Sequence, residues 1–126
     1  MWSWIWLFTI PWVPVAQPVP DVWGWEVDRW QPIVEDALES YGLESEVDAF
    51  MRVLYCESRG DPNAVNASSG AAGLMQHMPQ WWDWRAEQIG YKGASVFDPI
   101  ANIYASAWLL ALPDIGGWKH WTCYGL

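Results

Sequence analysis

The chain is short of positive charge. Six Lys and Arg stand against 15 Asp and Glu, a formal net charge of −9 over 126 residues. That balance excludes a nucleic-acid partner, because affinity for phosphate backbones comes from basic side chains. It also withholds electrostatic attraction to anionic cell-wall polymers, so glycan binding would have to rest on shape and stacking. Cysteine is scarce as well, with only Cys56 and Cys123. In a small, exported domain such a pair suggests one disulfide; two unrelated buried thiols are the alternative. There is no internal repeat, phosphate loop, EF-hand loop or Cys/His metal spacing, so no cofactor or metal is expected. Ser58 lacks evident His and Asp partners for a nucleophile's role.

What the chain has in excess is tryptophan, 13 residues within an apolar fraction of 52%. That fraction supports one folded core. Indoles fill cores, stack on sugar rings and sit at membrane surfaces, and composition alone does not choose among these uses. The uncharged residues 1–20 are apolar and Trp-rich as far as Val15, with Pro11 and Pro14 interrupting. The run is too short for a spanning helix. It reads as a secretory signal ending near Ala16, with a membrane-surface anchor through residues 1–16 or a packed arm as alternatives. Val13 to Pro20 reads as an extended linker. Residues 21–126 then form the folded domain.

Helical signals dominate that domain. Gln31-Pro32 opens a first helix with the stripe Ile33, Val34, Ala37, Leu38 and Tyr41, closed by Gly42. A second runs from Glu44 to Arg59, with Gly60 as its stop. Leu74 to His77 suggests a short helical turn. Pro79 opens a helix to Ile89 that carries Trp81, Trp82 and Trp84, divided between core and cleft. Asp98-Pro99 starts the most apolar helix, ending near Leu112, whose polar exceptions Asn102 and Ser106 share one face. His77 reads as a hydrogen-bonded residue and not as a catalyst.

The second helix holds the chemistry. Phe50, Val53, Leu54 and Glu57 fall on one face, while Asp48, Arg52 and Arg59 fall on the other. A carboxyl at the end of an apolar face is costly to ionise, and the negative end of the helix dipole pushes the same way. A raised pKa suits a general acid. A small-residue loop, Ser68 to Gly73, lets a polymer approach the backbone, and Gln76 offers an amide beside it.

Glu57-Ser58, Gly60, Pro62, Ala64-Val65-Asn66, Gly70, Ala72-Gly73-Leu74-Met75-Gln76 and Met78-Pro79 occur in that order. Asp98-Pro99, Asn102-Ile103 and Leu109-Leu110 follow. From Val47 to Leu112 this resembles the soluble lytic transglycosylase domain, a relative of goose-type lysozyme. The resemblance implies a mainly α, lysozyme-like single domain with a small loop or hairpin lobe beside a cleft. It implies cleavage of the β-1,4 bond between N-acetylmuramic acid and N-acetylglucosamine in peptidoglycan, outside the cytoplasm, by a monomer. Host and phage proteins fit this description equally. Glu57 would be the general acid/base, with Ser58, Met75, Gln76, Asn102 and Tyr124 contacting or orienting substrate. Many members also carry an Ala-Tyr-Asn-x-Gly block whose Tyr bonds the catalytic Glu, and this chain lacks it. A Cys56–Cys123 bridge would bring Tyr124 toward Glu57 as a substitute. Asp61, Asp83 and Asp98 are the candidates for a second carboxylate, and each has a structural use. A 1,6-anhydro product is therefore expected, with hydrolysis by a goose-type muramidase as the alternative. A non-catalytic Trp-rich glycan-binding domain and a membrane-active protein are the readings from other classes.

Overall fold

A computed structural model describes residues 22–126. The segment 1–20 read as signal or anchor, including the linker 13–20, lies outside the described residues. Five α-helices follow in order: α1 Trp25–Asp28, α2 Gln31–Ser40, α3 Val47–Ser58, α4 Pro79–Gln88 and α5 Pro99–Ala111. Short 3-10 turns span Glu44–Glu46, Trp118–His120 and Thr122–Gly125. The architecture is mainly α. Among the described residues no helix is long and apolar enough to cross a membrane.

Local chemistry accounts for the helix ends. Proline at the first turn opens α2, α4 and α5, where its missing N–H is not needed. The Asp98 carboxylate caps α5, accepting from the amides of Ile100 at 2.9 Å and Ala101 at 3.1 Å. At the end of α2, Leu43 N–H donates to Leu38 and Gly42 N–H to Glu39, the paired bonds of a Schellman close.

The core follows from the same periodicity. Val34, Ala37 and Leu38 of α2 meet Phe50, Val53 and Leu54 of α3 and Ile103 and Ala107 of α5, all fully buried. Burying a side chain such as Phe50 or Leu54 contributes roughly 1.5–3 kcal/mol. A second cluster joins Trp82 and Ala86 of α4 to Ala101 and Ala105 of α5. Alanines on α5 allow this close approach, so α5 is packed on both sides, as an apolar helix must be.

Two expected features differ. Leu74 to His77 do not form a helical turn. Isolated antiparallel bridges pair Val65 with Ala72 and Ala72 with His77, so residues 64–77 make a small hairpin-like lobe. The reversal depends on distant partners that a local pattern does not show. The second helix also ends earlier than its Gly60 signal. Arg59 itself is left-handed at φ 56°, and its guanidinium lies 4.0 Å from the Tyr55 ring centroid. That cation–π contact offsets part of the backbone cost.

Cys56 and Cys123 are bridged, with Cα atoms 6.0 Å apart across a sequence separation of 67. The bridge fixes the last turns of the chain to the end of α3. Chain-entropy arguments assign a loop of this length about 4 kcal/mol of stabilisation. Cys123→Ser should therefore lower the free energy of unfolding by up to about that amount in urea denaturation. A variant as stable as the parent would show that the bridge constrains nothing.

Candidate active site

Glu57 is the penultimate residue of α3. The residues one and two turns before it, Val53, Leu54 and Phe50, are fully buried, so its side chain continues the core-facing stripe. The carboxyl is half-buried, and burial alone pushes it above its ordinary value of 4.5. It makes no hydrogen bond among the described residues, so nothing there compensates the lost water.

The turn after Glu57 is held from below. Gly60 is left-handed at φ 81°, and a Cβ there would stand 2.0 Å from the Glu26 carbonyl oxygen. Only glycine fits. Its own carbonyl accepts from Trp30 Nε1 at 2.9 Å and Arg29 Nη2 at 3.4 Å, which seats α1 and the start of α2 under the turn. Ser58 is buried, donating from Oγ to the Leu54 carbonyl and accepting from Gly60 N–H, both at 3.2 Å. Its hydroxyl is used within the helix end, not toward a sugar.

The small lobe is fastened by side-chain amides. Asn102 is fully buried on α5. Its Oδ1 accepts from Met75 N–H at 2.9 Å, and its Nδ2 donates to the carbonyls of Val96 at 2.9 Å and Ala72 at 3.4 Å. Gly73 lies directly against it, since a Cβ there would be 2.2 Å from Asn102 Nδ2. Gln76 is left-handed at φ 53°, and its Nε2 donates to Ala64 and Gly73 carbonyls at 3.1 and 2.9 Å. Its Oε1 has no partner among the described residues. Met75 is wholly buried, and its carbonyl accepts from Trp121 Nε1 at 2.8 Å.

Of the expected site residues, then, Glu57 and Gln76 keep partly exposed side chains. Ser58, Met75 and Asn102 act from within, shaping the backbone instead of presenting side chains to a ligand. Tyr124 departs furthest from expectation. The disulfide does bring its backbone to α3, but its ring stacks on Trp118, with centroids 4.7 Å apart and planes 5° apart, and lies under Arg52. It makes no hydrogen bond to Glu57, because a bridge at Cys123 fixes the neighbouring backbone and not the direction of the next ring. Asp61, Asp83 and Asp98 are exposed, and Asp98 is occupied as a cap.

The sequence pattern gave no warning of three residues. Asp28 is buried, with both carboxylate oxygens 3.3 Å from Trp23 N–H. Trp121 is buried and binds the small lobe, as above. Arg85 is buried in α4 and donates from Nη1 to His77 Nδ1 at 3.0 Å. Arg85 has only donors, so Nδ1 accepts and Nε2 carries the imidazole proton. Nε2 then donates to Ser106 Oγ, and Ser106 donates to the Asn102 carbonyl, each at 2.8 Å. His77 is a core hydrogen-bonding residue, as its setting in the sequence suggested.

A family model for the transglycosylase SLT domain matches residues 34–116. The chain belongs to that family. The match takes in α2 from Val34 as well as the motifs from Glu57 onward, and it ends before Trp118, Trp121 and Cys123. The SLT domain acts on peptidoglycan, and at the level of the family the activity is glycan cleavage of the lytic transglycosylase type. No curated protein matches the chain.

Burial, and next the charge of Arg85, lower the His77 pKa from 6.5 to about 3. The unfolded chain therefore takes up this proton first as pH falls. The stability that neutral His77 contributes is complete above pH 6.5 and is lost as pH falls toward about 3. One proton sets a limiting slope of about 1.4 kcal/mol per pH unit. His77→Gln should be less stable than the parent at pH 7 but lose less stability on acidification, in urea unfolding measured across the range. Parallel pH profiles would show that His77 does not govern acid stability.

Proposed function

We propose that this SLT domain cleaves the β-1,4 bond between N-acetylmuramic acid and N-acetylglucosamine with Glu57 as its only acid/base. One observation carries the reading: Glu57, near the end of α3, is a half-buried carboxyl raised by desolvation, and it is the residue that the sequence resemblance implies as the acid. None of the candidate second carboxylates shares its setting. Protonated Glu57 gives its proton to the glycosidic oxygen as the bond from the muramic C1 to that oxygen breaks. The resulting carboxylate takes the proton of the same sugar's 6-hydroxyl, whose oxygen closes on C1. The product is a 1,6-anhydro sugar, and Glu57 ends protonated again. The attacking hydroxyl belongs to the reacting sugar, so its effective concentration is high without a second carboxylate to hold a water.

Supporting roles follow from placement. Gln76 Oε1 is free to accept from a sugar hydroxyl or amide. Exposed Trp81 and Trp84 offer apolar faces to a glycan or its attachments. Action outside the cytoplasm agrees with the disulfide.

Glu57→Gln keeps the shape but has no acid proton. Activity on purified cell walls should fall by at least about a hundredfold, the usual scale for a lost general acid. Mass spectrometry of the parent's products should show muropeptides lighter by one water than hydrolytic ones. Near-normal lysis by the variant removes Glu57 from the role. Hydrated products make the protein a muramidase, and binding without any cleavage leaves a glycan-binding domain.

A further inference from the structure

The buried guanidinium of Arg85 has no counter-charge among the described residues. The side chain is 9% exposed, yet the chain's abundant carboxylates do not reach it: among the described residues the single salt bridge joins Arg29 to Glu26. His77, its one hydrogen-bond partner among the described residues, is neutral. Arg85 Nε is closed off from solvent without a hydrogen bond, and Nη2 has no partner among the described residues. A buried cation in this condition is costly, and such a cost is met where a ligand supplies the missing charge.

Arg85 also lines a groove of about 290 Å³, together with Trp81 and Trp84 of α4, Leu109 of α5, and Ile115 and His120 beyond it. Trp81, Trp84 and Ile115 are 52%, 44% and 58% exposed. The walls are apolar and aromatic, and the fixed positive charge is that of Arg85. Nη1 is taken by His77 and Nε is closed off, so the donor left to a ligand in the groove is Nη2, which can reach one oxygen of a carboxylate. A dianion would find no second Lys or Arg in the groove.

The geometry points to a carboxylate-binding subsite here, in which Arg85 holds the free carboxylate of a peptide stem attached to the glycan while Trp81, Trp84 and Ile115 cover its small apolar side chains. The assignment rests on the proposed action on peptidoglycan for the source of the ligand, though not for the anion chemistry. It gives the enzyme a preference for strands that still bear stems ending in a free acid. Arg85 is here a binding residue, remote in role from the proton transfer at Glu57.

The test uses the intact protein and a soluble N-acetylmuramyl tripeptide ending in alanine, as the free acid and as the C-terminal amide. Calorimetry should show the acid binding at least about tenfold tighter than the amide, the scale of one charge-assisted hydrogen bond. Ile115→Glu places a competing carboxylate in the groove from an exposed position, so folding is spared. It should abolish the acid preference. Equal affinity for acid and amide in the parent, an undiminished preference in Ile115→Glu, or tighter binding of inorganic phosphate than of the acid would each overturn the subsite. Glycan cleavage without an acid preference defeats this inference alone. An acid preference in a protein that cleaves no glycan defeats the proposed reaction alone.

Discussion

One buried amide joins the two parts of this molecule. Asn102 reaches from the central helix to Met75, Ala72 and Val96, so the small lobe's backbone is satisfied by a side chain it does not contain. Buried backbone groups left without partners are expensive, and the 72–77 reversal has no regular sheet to supply them. The bare face of Gly73 is required for the same contact. Asn102 also extends, through Ser106 and His77, to Arg85, so the anchoring of the small lobe and the placement of the buried cation are one hydrogen-bonded system.

The other end of the site is fixed by covalent and close-packed restraints. Gly60 against Glu26 seats the turn that follows Glu57, and the Cys56–Cys123 bridge holds the final turns beside it. The family match stops at residue 116, yet Trp121 and Cys123 beyond it bind the small lobe and α3. The tail is thus part of the site's framework.

Much of this was legible because it is local. The stripes of α2 and α3, the Asp98-Pro99 start of α5 and the apolar placement of Glu57 each follow from spacing within a dozen residues. With two cysteines, only one intrachain bridge was possible. What was not legible depends on distant partners. A helical turn and the 72–77 reversal share composition and differ only in reaching Ala64 and Asn102. Asn102 and Met75 sit in motifs that suggest substrate contact, but their burial is set by which helices enclose them. Arg85 lies in a polar stretch of α4 where a solvated arginine is ordinary, and only packing shows it enclosed. Tyr124 shows the limit of covalent reasoning, since the bridge places its backbone while Trp118 decides its ring.

The chemistry assigned to Glu57 depends on a single physical quantity, the cost of ionising a half-buried carboxyl that has lost part of its water. An NMR titration of the side-chain carboxyl carbons, with Glu57→Gln to identify the resonance, reads that quantity without any substrate. Glu57 should titrate above the ordinary glutamate value of 4.5. A midpoint at or below 4.5 would contradict the desolvated setting and leave the protein without a residue poised to donate a proton near neutrality.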